Sequence, residues 1–257
     1  MIREKKVFWL TIEDIWFERQ RFADSDMKIA CLHSNSVLDK GEYDAVLVGQ
    51  TMLLDISRDV EEIFKGFDQK SCRYPINKAQ RDGVRVIKAD SEKDYETYLE
   101  FENSFCREKG IPLVSMEEMK KLDVFYALSA EGEYLGGCAF IVCHEESIVR
   151  YKYGSTLHKL NANEAILWKA ICHYHDAGIG MFDFGGVVPT EDRESYYYRH
   201  YHFKKKFGGD QADSYVYYKM TGFYRAVYRC FELFVRVFFG GNMNEAVNWI
   251  NRRGMIG

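Results

Sequence analysis

Proline, paired cysteines and long apolar runs are all scarce in this sequence of 257 residues, which has three prolines and seven cysteines. So little proline excludes a proline-rich linker, and no apolar run reaches the length of a transmembrane helix. Acids and arginines interrupt the N-terminal apolar residues before a signal-peptide core forms. The cysteines are scattered, odd in number and lack a C-x-x-C pair, which indicates reduced thiols rather than disulfides or a zinc site. We therefore expect a globular cytoplasmic protein without a metal.

Several motifs of common enzyme classes are also missing. The sequence has no phosphate-binding G-x-x-x-x-G-K-[ST], no G-x-G-x-x-G opening a helix, no H-E-x-x-H and no G-x-S-x-G. His173 and His175 lie two positions apart on a predicted helix, so their side chains face different ways and do not predict a metal pair. These absences disfavour P-loop, zinc-protease and serine-hydrolase functions.

Positive charge is concentrated in two segments, although the net charge of the chain is -4. Residues 65–88 hold seven Lys or Arg, including Lys78 and Arg81, against two acids. Residues 191–257 hold eleven against seven acids, including the triplet Lys204–Lys206. Two basic segments on an acidic body favour local binding of an anion such as a phosphate; the alternative is a pair of solvated helix faces.

The order of elements after residue 83 predicts the fold class. Hydrophobic periodicity and turn signals give the order β-α-α-β-β-β-α-β-α-β. We therefore predict an α/β (α+β) protein with a mixed, mostly antiparallel sheet and helices on both faces. The predicted division is a reduced N-terminal half at 1–82, a complete domain at 83–220 and a helical tail at 221–257 packed on that domain.

Local signals predict where three helices begin or end. Ser57 is expected to cap a helix that starts in S-R-D-V-E-E-I-F, and Ser91 to cap the helix that Gly110 ends. The tail predicts a helix at 223–239 with a narrow polar stripe about 60° wide. The polar residues of this stripe are Arg225, Arg229, Glu232 and Arg236. Two interpretations stay open: a helix sunk into the domain with one wet edge, or an aromatic surface for a membrane interface or a partner.

Two short phrases carry the candidate chemistry. Asp183-Phe184-Gly185-Gly186 ends a predicted strand, where glycines let the backbone approach a ligand closely. Phe203 and Lys204 open the second phrase, F-K-K-K-F-G-G, at a predicted helix end. A lysine there could meet an anion or stabilise the oxyanion of an acyl transfer. A nearby tyrosine and histidine cluster at 196–202 could hold an acid-base group, although such clusters more often serve packing.

These phrases, taken together, carry a family resemblance. D-F-G-G followed by F-K-x-x-F-G-G, after the helix L-W-K-A-I-x-x-x-x-x-x-G, resembles the Fem-type aminoacyltransferases of bacterial cell-wall synthesis, within the GNAT-fold acyltransferases. The stretch 77–84, N-K-A-Q-R-D-G-V, is similar to the family's basic entry to its second domain, and 107–111, R-E-K-G-I, is similar to its R-x-x-G-[FI]. The chain departs from the family in its short N-terminal half and in having three lysines where one is usual.

The resemblance implies transfer of an amino acid from aminoacyl-tRNA to an amine of a peptidoglycan precursor, without a cofactor or metal. Lys204 would hold the peptide carboxylate or stabilise the oxyanion, and Arg107 would meet the precursor's diphosphate. The other implied substrate-binding residues are Lys78, Arg81, Tyr151, Tyr153, Asp183, Gly185, Gly186 and Phe203, with Tyr153, in Y-K-Y-G, lining the acceptor groove. The reduced thiols favour a cytoplasmic protein, with a peripheral contact to the inner face of the membrane through 223–239 if the tail is a membrane surface.

Two other functions remain open from the sequence. The first is a GNAT N-acyltransferase that uses acyl-CoA on a small or lipid-linked amine. The position where such enzymes bind pyrophosphate reads G-S-T-L-H-K-L-N-A-N-E-A, with one glycine, which disfavours it without excluding it. The second is a non-catalytic protein that keeps the fold and uses the tail helix for assembly or membrane docking.

Overall fold

The computed structural model describes residues 1–7, 10–157 and 159–240. Within these ranges the chain forms ten β-strands and eight α-helices. The strands are β1 (Ile2–Val7), β2 (Leu10–Trp16), β3 (Ile29–Ser34), β4 (Ala45–Asp55), β5 (Arg85–Lys88), β6 (Asp123–Leu128), β7 (Tyr134–Cys143), β8 (Ile148–Thr156), β9 (Met181–Val187) and β10 (Asp210–Met220). The helices are α1 (Arg19–Asp24), α2 (Val60–Gly66), α3 (Tyr74–Arg81), α4 (Glu92–Lys109), α5 (Met116–Met119), α6 (Ala162–Asp176), α7 (Tyr196–Lys205) and α8 (Gly222–Phe239), and a short π-helical turn at Gln69–Arg73 precedes α3.

All ten strands form one sheet in the order β1-β2-β3-β10-β4-β9-β8-β7-β6-β5. The pairs β2–β3 and β8–β9 are parallel and the other pairs are antiparallel. This arrangement confirms the predicted mixed, mostly antiparallel sheet. Strand β10 lies between β3 and β4, so the N-terminal strands continue the sheet of the later part of the chain. The boundaries proposed at 82 and 220 stay predictions.

The sheet is covered on both faces, and strand β7 shows how the sequence produces the two layers. Its side chains alternate, so Cys138 and Phe140 enter one apolar cluster while Ala139 and Ile141 enter another on the opposite face. Helix α6 packs on the first face, and Tyr98 brings α4 to the second. Burial on both faces explains why the strand reads as a continuous apolar run rather than as an alternating one.

The predicted helix signals are confirmed for α4 and wrong for α2. Ser91 caps α4 in a reciprocal capping box with Asp94, and Gly110 ends the helix in a left-handed conformation. Helix α2 begins later than expected, because Asp59 rather than Ser57 accepts the backbone N–H groups of its first turn. The Ser57 hydroxyl instead donates to the Asp55 carboxylate at 2.7 Å.

Strands β8 and β9 pair over a short distance and then separate. Their parallel register covers only Ile148–Arg150 against Met181–Asp183. Directly after Arg150, β8 contains a bulge, because Tyr151 and Tyr153 face consecutive residues of β7. Gly185 then takes a φ of +81°, which bends β9 at the same level. The two strands therefore open a wedge beside the D-F-G-G phrase.

Helix α8 presents most of its apolar side chains to solvent. Leu233 and Phe238 are 61 and 70 % exposed, and Val235 is buried. An ion pair at 2.8 Å between Arg225 and Asp44 holds the first turns of the helix beside the start of β4. The interpretation of α8 as a helix sunk into the domain with one wet edge is therefore wrong, since its apolar side is exposed as well as its polar stripe.

The predicted tail segment extends to residue 257, and its part from 241 onward lies outside the described residues. None of the helices in the described ranges has both the length and the apolar character that crossing a membrane requires.

The glycine pair at the end of the F-K-K-K-F-G-G phrase has a packing role. Gly208 takes a φ of +73°, and a Cβ there would lie 2.5 Å from the carbonyl oxygen of Gly66. A Cβ on Gly209 would lie 2.6 Å from the carbonyl oxygen of Leu53. These glycines let the chain between α7 and β10 press against the end of α2 and against β4, which fixes the position of α7.

Replacing Gly208 with alanine should lower the free energy of unfolding by about 2–4 kcal/mol, because it combines an unfavourable φ with a clash against backbone. Gly178→Ala is a matched control, since Gly178 has a φ of +78° with no atom within 4 Å of the added Cβ. The control should lose only the conformational part, about 1–2 kcal/mol. Urea denaturation measures both, and equal losses would contradict the packing role.

Candidate functional site

Asp183 of the D-F-G-G phrase is fully buried and joins four segments of the sheet. Its carboxylate accepts hydrogen bonds from Arg150 Nη1 at 2.9 Å, from Asn35 Nδ2 at 3.0 Å and from the Gly185 amide at 2.7 Å. The Thr51 hydroxyl donates a further bond. A buried carboxylate with a charged partner and filled lone pairs is held firmly, since removing one partner leaves an uncompensated charge. We call these residues the Asp183 network.

Lys204 lies beside this network on α7. Its ammonium donates to the carbonyl oxygen of Gly186 at 2.7 Å. Burial and, to a smaller extent, the nearby Arg150 guanidinium lower the pKa of Lys204 and Asp183 opposes both, so that the pKa falls to about 8. A lysine with a pKa near neutrality, next to backbone that glycines leave open, is a recurrent feature of functional sites.

The three lysines of the triplet have separate environments. Lys205 is exposed and approaches Glu191 at 4.0 Å, and Lys206 forms an ion pair with Glu164 at 2.5 Å. Among the three, Lys204 faces the two glycines, whereas the sequence phrase left the choice among the three lysines open. This placement selects Lys204 as the candidate, while its role stays a prediction.

Two clefts lie against α7. The smaller, of about 460 Å³, is lined by Lys204, Gly186, His200 and Tyr197 among others. Burial lowers the pKa of His200, and the charge of Lys204 lowers it further, so this imidazole is neutral near pH 7. The smaller cleft therefore combines the Lys204 cation, the neutral His200 imidazole and the backbone of Gly186, which carries no side chain.

The larger cleft, of about 710 Å³, is lined mainly by side chains of α7 and its C-terminal end, together with Asp68 and Ser71. Arg199, His202, Lys205 and Lys206 contribute to it, with the predicted site residue Phe203. Such a lining suits a phosphorylated group. Helix α7 thus supplies residues to both clefts.

The two predicted tyrosines of β8 point to opposite faces of the sheet. Tyr151 packs against Phe140 with its hydroxyl 4.0 Å from the Cys138 sulfur, and burial raises its pKa well above the usual value. Tyr153 donates to the Glu118 carboxylate at 2.6 Å on the α5 side. They face opposite sides because the bulge in β8 breaks the alternation of side chains between them. Neither tyrosine lines either cleft.

The three predicted basic contacts lie elsewhere. Arg107 is exposed in the last turn of α4. Lys78 pairs with Asp82 of its own helix at 2.6 Å, and Arg81 lies over the Tyr74 ring. None of the three lines either cleft. Their predicted substrate contacts therefore have no support from the geometry of these clefts.

Sequence reasoning missed Arg150, Asn35 and Thr51. Arg150 had a usable signal, because a charged residue inside a buried strand implies a buried partner. Asn35 and Thr51 had none, since they are 148 and 132 residues from Asp183 in the chain. Only the order of strands in the sheet brings them together.

Comparison with known proteins supports the fold. No family model matches the sequence, and a search of curated proteins finds no match. Among solved structures, the chain is similar to FemX, with a TM-score of 0.63 and 14 % identity over 84 % of this chain and 83 % of that chain. It is also similar to L-PGS from Bacillus licheniformis, with a TM-score of 0.58 and 12 % identity over 88 % of this chain and 82 % of that chain.

A third similar structure is a C-terminal domain assigned to a lysylphosphatidylglycerol synthetase of Agrobacterium fabrum. It has a TM-score of 0.56 and 12 % identity over 91 % of this chain and 85 % of that domain. At these identities the likeness concerns the fold. It shows that this chain has a fold similar to that of FemX and of the two further structures, as the resemblance of the sequence phrases implies.

Replacing Lys204 with methionine tests its lowered pKa. Between about pH 8 and its ordinary value of 10.5, the unfolded chain keeps the Lys204 proton that the native chain has lost. The unfolded state binds more protons in this window, so the wild type should gain stability relative to Lys204→Met as the pH rises through it. Below pH 8 both states are protonated and the difference should be constant.

Urea midpoints at about pH 7 and about pH 10 measure this change. The control is Lys205→Met, which removes an exposed lysine of the same helix and should follow the wild type across the range. If the difference in stability between the wild type and Lys204→Met is the same at both pH values, the burial of the Lys204 cation is contradicted.

Proposed function

We propose that the protein is an N-acyltransferase that transfers an amino acid from aminoacyl-tRNA to an amine, with a peptidoglycan-precursor peptide as the acceptor. The observation that carries the proposal is the position of Lys204 in the smaller cleft, 2.7 Å from the Gly186 oxygen. The family resemblance of the two phrases and the structural likeness to FemX support the same reaction class.

The chemistry requires little of the protein. The acceptor amine attacks the ester carbonyl, the C–N bond forms, the ester C–O bond breaks, and the ribose hydroxyl leaves with a proton. Negative charge develops on the carbonyl oxygen, where the Lys204 cation stabilises it. Neutral His200 lines the same cleft and is suited to accept the proton that the attacking amine loses. Positioning of the two reactants supplies the rest of the rate.

Of the two clefts, the larger one is the better candidate for binding the donor's phosphates, because more basic side chains line it. Arg199 and Lys205 line it from the helix that carries Lys204, so an anionic donor held there would lie against the same element. In this proposal the donor's phosphates are bound by these residues of α7. The implied contact of Arg107 with the precursor's diphosphate remains a separate prediction, at a position exposed to solvent.

Lys204→Ala should lower kcat/KM for aminoacyl transfer by about 10²- to 10³-fold, the usual cost of removing one oxyanion donor. Lys121→Ala is the control, since it removes an exposed lysine that lines neither cleft, and it should change kcat/KM by less than about threefold. Activity should also fall as the pH rises above about 8, because Lys204 must be protonated. Purified aminoacyl-tRNA with labelled amino acid and a muramyl-peptide amine measures the transfer.

Parallel reactions separate the alternatives. Transfer from acyl-CoA but not from aminoacyl-tRNA would replace the proposed donor. Transfer to phosphatidylglycerol would replace the proposed acceptor. This acceptor is worth testing because one similar structure is assigned to a lysylphosphatidylglycerol synthetase. No transfer from either donor to any acceptor, with the fold intact, would favour a non-catalytic binding protein.

We also propose that α8 rests on an anionic lipid surface. Its exposed apolar residues, Phe223, Val227, Leu233, Val237 and Phe238, are 49 to 74 % exposed. They fall on the side of the helix about 80° to 220° from Arg225, while the stripe with three arginines and Glu232 lies along one edge. An apolar face edged by arginine fits the boundary between lipid headgroups and acyl chains.

The wild type should bind vesicles that contain phosphatidylglycerol and bind pure phosphatidylcholine vesicles weakly. Leu233→Ser with Val237→Ser should weaken binding by at least about tenfold, because it removes two exposed apolar side chains. Glu232→Gln, on the polar stripe, is the control and should bind at least as well as the wild type. Vesicle sedimentation measures all three. Absence of binding together with concentration-dependent dimerisation would show that a second copy covers this face.

A further inference from the structure

Asp14, Cys31 and His33 form a cluster of three chemically different ligands on two neighbouring strands. Strands β2 and β3 are parallel, with Asp14 opposite Cys31, and His33 lies two residues farther along β3. Because side chains on a strand alternate, all three project from the same face of the sheet. One potential ligand atom from each residue lies within 4.8 Å of the others.

The distances between the ligand atoms are close to those around a tetrahedral metal ion. Asp14 Oδ1 is 2.8 Å from His33 Nε2 and 3.1 Å from the Cys31 sulfur, and the sulfur is 3.9 Å from His33 Nε2. Zinc bonds of about 2.3 Å to sulfur and about 2.0 Å to nitrogen or oxygen place such atoms about 3.3–3.6 Å apart. Small side-chain rotations convert one arrangement into the other.

The surroundings hold these side chains in place. Trp16 donates its indole N–H to Asp14 Oδ2 at 3.3 Å, which leaves Oδ1 directed at His33 and Cys31. The Trp16 ring also stacks on His33, with ring centroids 3.7 Å apart and planes within 2°. In metal sites, the residues that surround the ligands typically hydrogen-bond the carboxylate and fix the orientation of the imidazole.

The charges also suit a divalent ion. Asp14 and Cys31 are buried and His33 is partly exposed, with Asp14 2 % and Cys31 6 % exposed. Burial lowers the pKa of His33 while Asp14 raises it, and the charges of Lys152 and Arg150 lower it further. The amino group of Lys152 lies 3.9 Å from the centre of the Trp16 ring, on which His33 also stacks. Zinc with one thiolate and one carboxylate would leave the cluster without net charge.

We propose that Asp14, Cys31 and His33 bind Zn²⁺ through Oδ1, the thiolate and Nε2, with solvent in the fourth position. Sulfur, imidazole and carboxylate together favour zinc over magnesium or calcium, which prefer oxygen ligands. Binding would release the Cys31 thiol proton to solvent. The ion would link β2 to β3 beside Trp16, over whose ring the Arg150 guanidinium of the Asp183 network lies at 5.0 Å. The site is independent of the proposed acyl transfer.

The test is titration of the purified full chain with CoCl₂ and with ZnCl₂. Co²⁺ should bind once per chain, with the near-ultraviolet band of a cobalt–thiolate bond, and Zn²⁺ should displace it and raise the melting temperature. Cys31→Ser should abolish the band, and His33→Gln should weaken binding at least about tenfold. Cys172→Ser is the control, since it removes a thiol on α6 and should keep the band. Trp16→Phe should keep the band with affinity about tenfold weaker.

Circular dichroism of each variant establishes that it is folded. Absence of stoichiometric Co²⁺ and Zn²⁺ binding by the folded wild type would overturn the proposal and leave a hydrogen-bonded triad. A thiolate band that persists in folded Cys31→Ser would overturn it by locating the metal at another cysteine.

Discussion

The buried carboxylate of Asp183 is the constraint on which the site depends. It lies in the middle of the sheet, fully removed from solvent, and its bonds reach β8 through Arg150, β4 through Thr51 and the end of β3 through Asn35. A charge in that position is tolerated only while these donors are in place. The same bonds fix Arg150 beside Lys204, so the electrostatics of the ammonium follow from the packing of the sheet.

Glycine makes the approach of α7 to this network possible. Gly185 bends β9 away from β8, and the Gly186 carbonyl then accepts the Lys204 ammonium. On the far side of the helix, Gly208 and Gly209 bring the backbone against Gly66 and Leu53. The glycines of the two sequence phrases therefore act together, one pair forming the floor of the cleft and the other holding the helix that faces it.

Local features of this chain could be predicted from its sequence and long-range ones could not. The cap at Ser91, the end of α4 at Gly110 and the order of helices and strands along the chain after residue 83 depend on neighbouring residues, and each was predicted. The choice of Lys204 within its triplet needed the structure, because three adjacent lysines look alike until their partners are known. Thr51 belongs to the Asp183 network because β4 lies beside β9 in the sheet, and no local sequence pattern predicts that pairing. The zinc proposal likewise pairs C-x-H on β3 with a residue of β2, and strand geometry supplies the shared face.

The direct connection between β10 and α8 has a mechanical consequence. Met220 ends the strand and Gly222 begins the helix, so a single residue separates them and no flexible linker can form. Ser214, on the same strand, lines the smaller cleft, eight residues before α8. At about 3.3 Å per residue, that cleft lies at most about 25 Å from the helix along the strand. If α8 rests on lipid, it also fixes the orientation of the protein on the surface. An acceptor would then have to present its amine at a set height, which selects among substrates by their length.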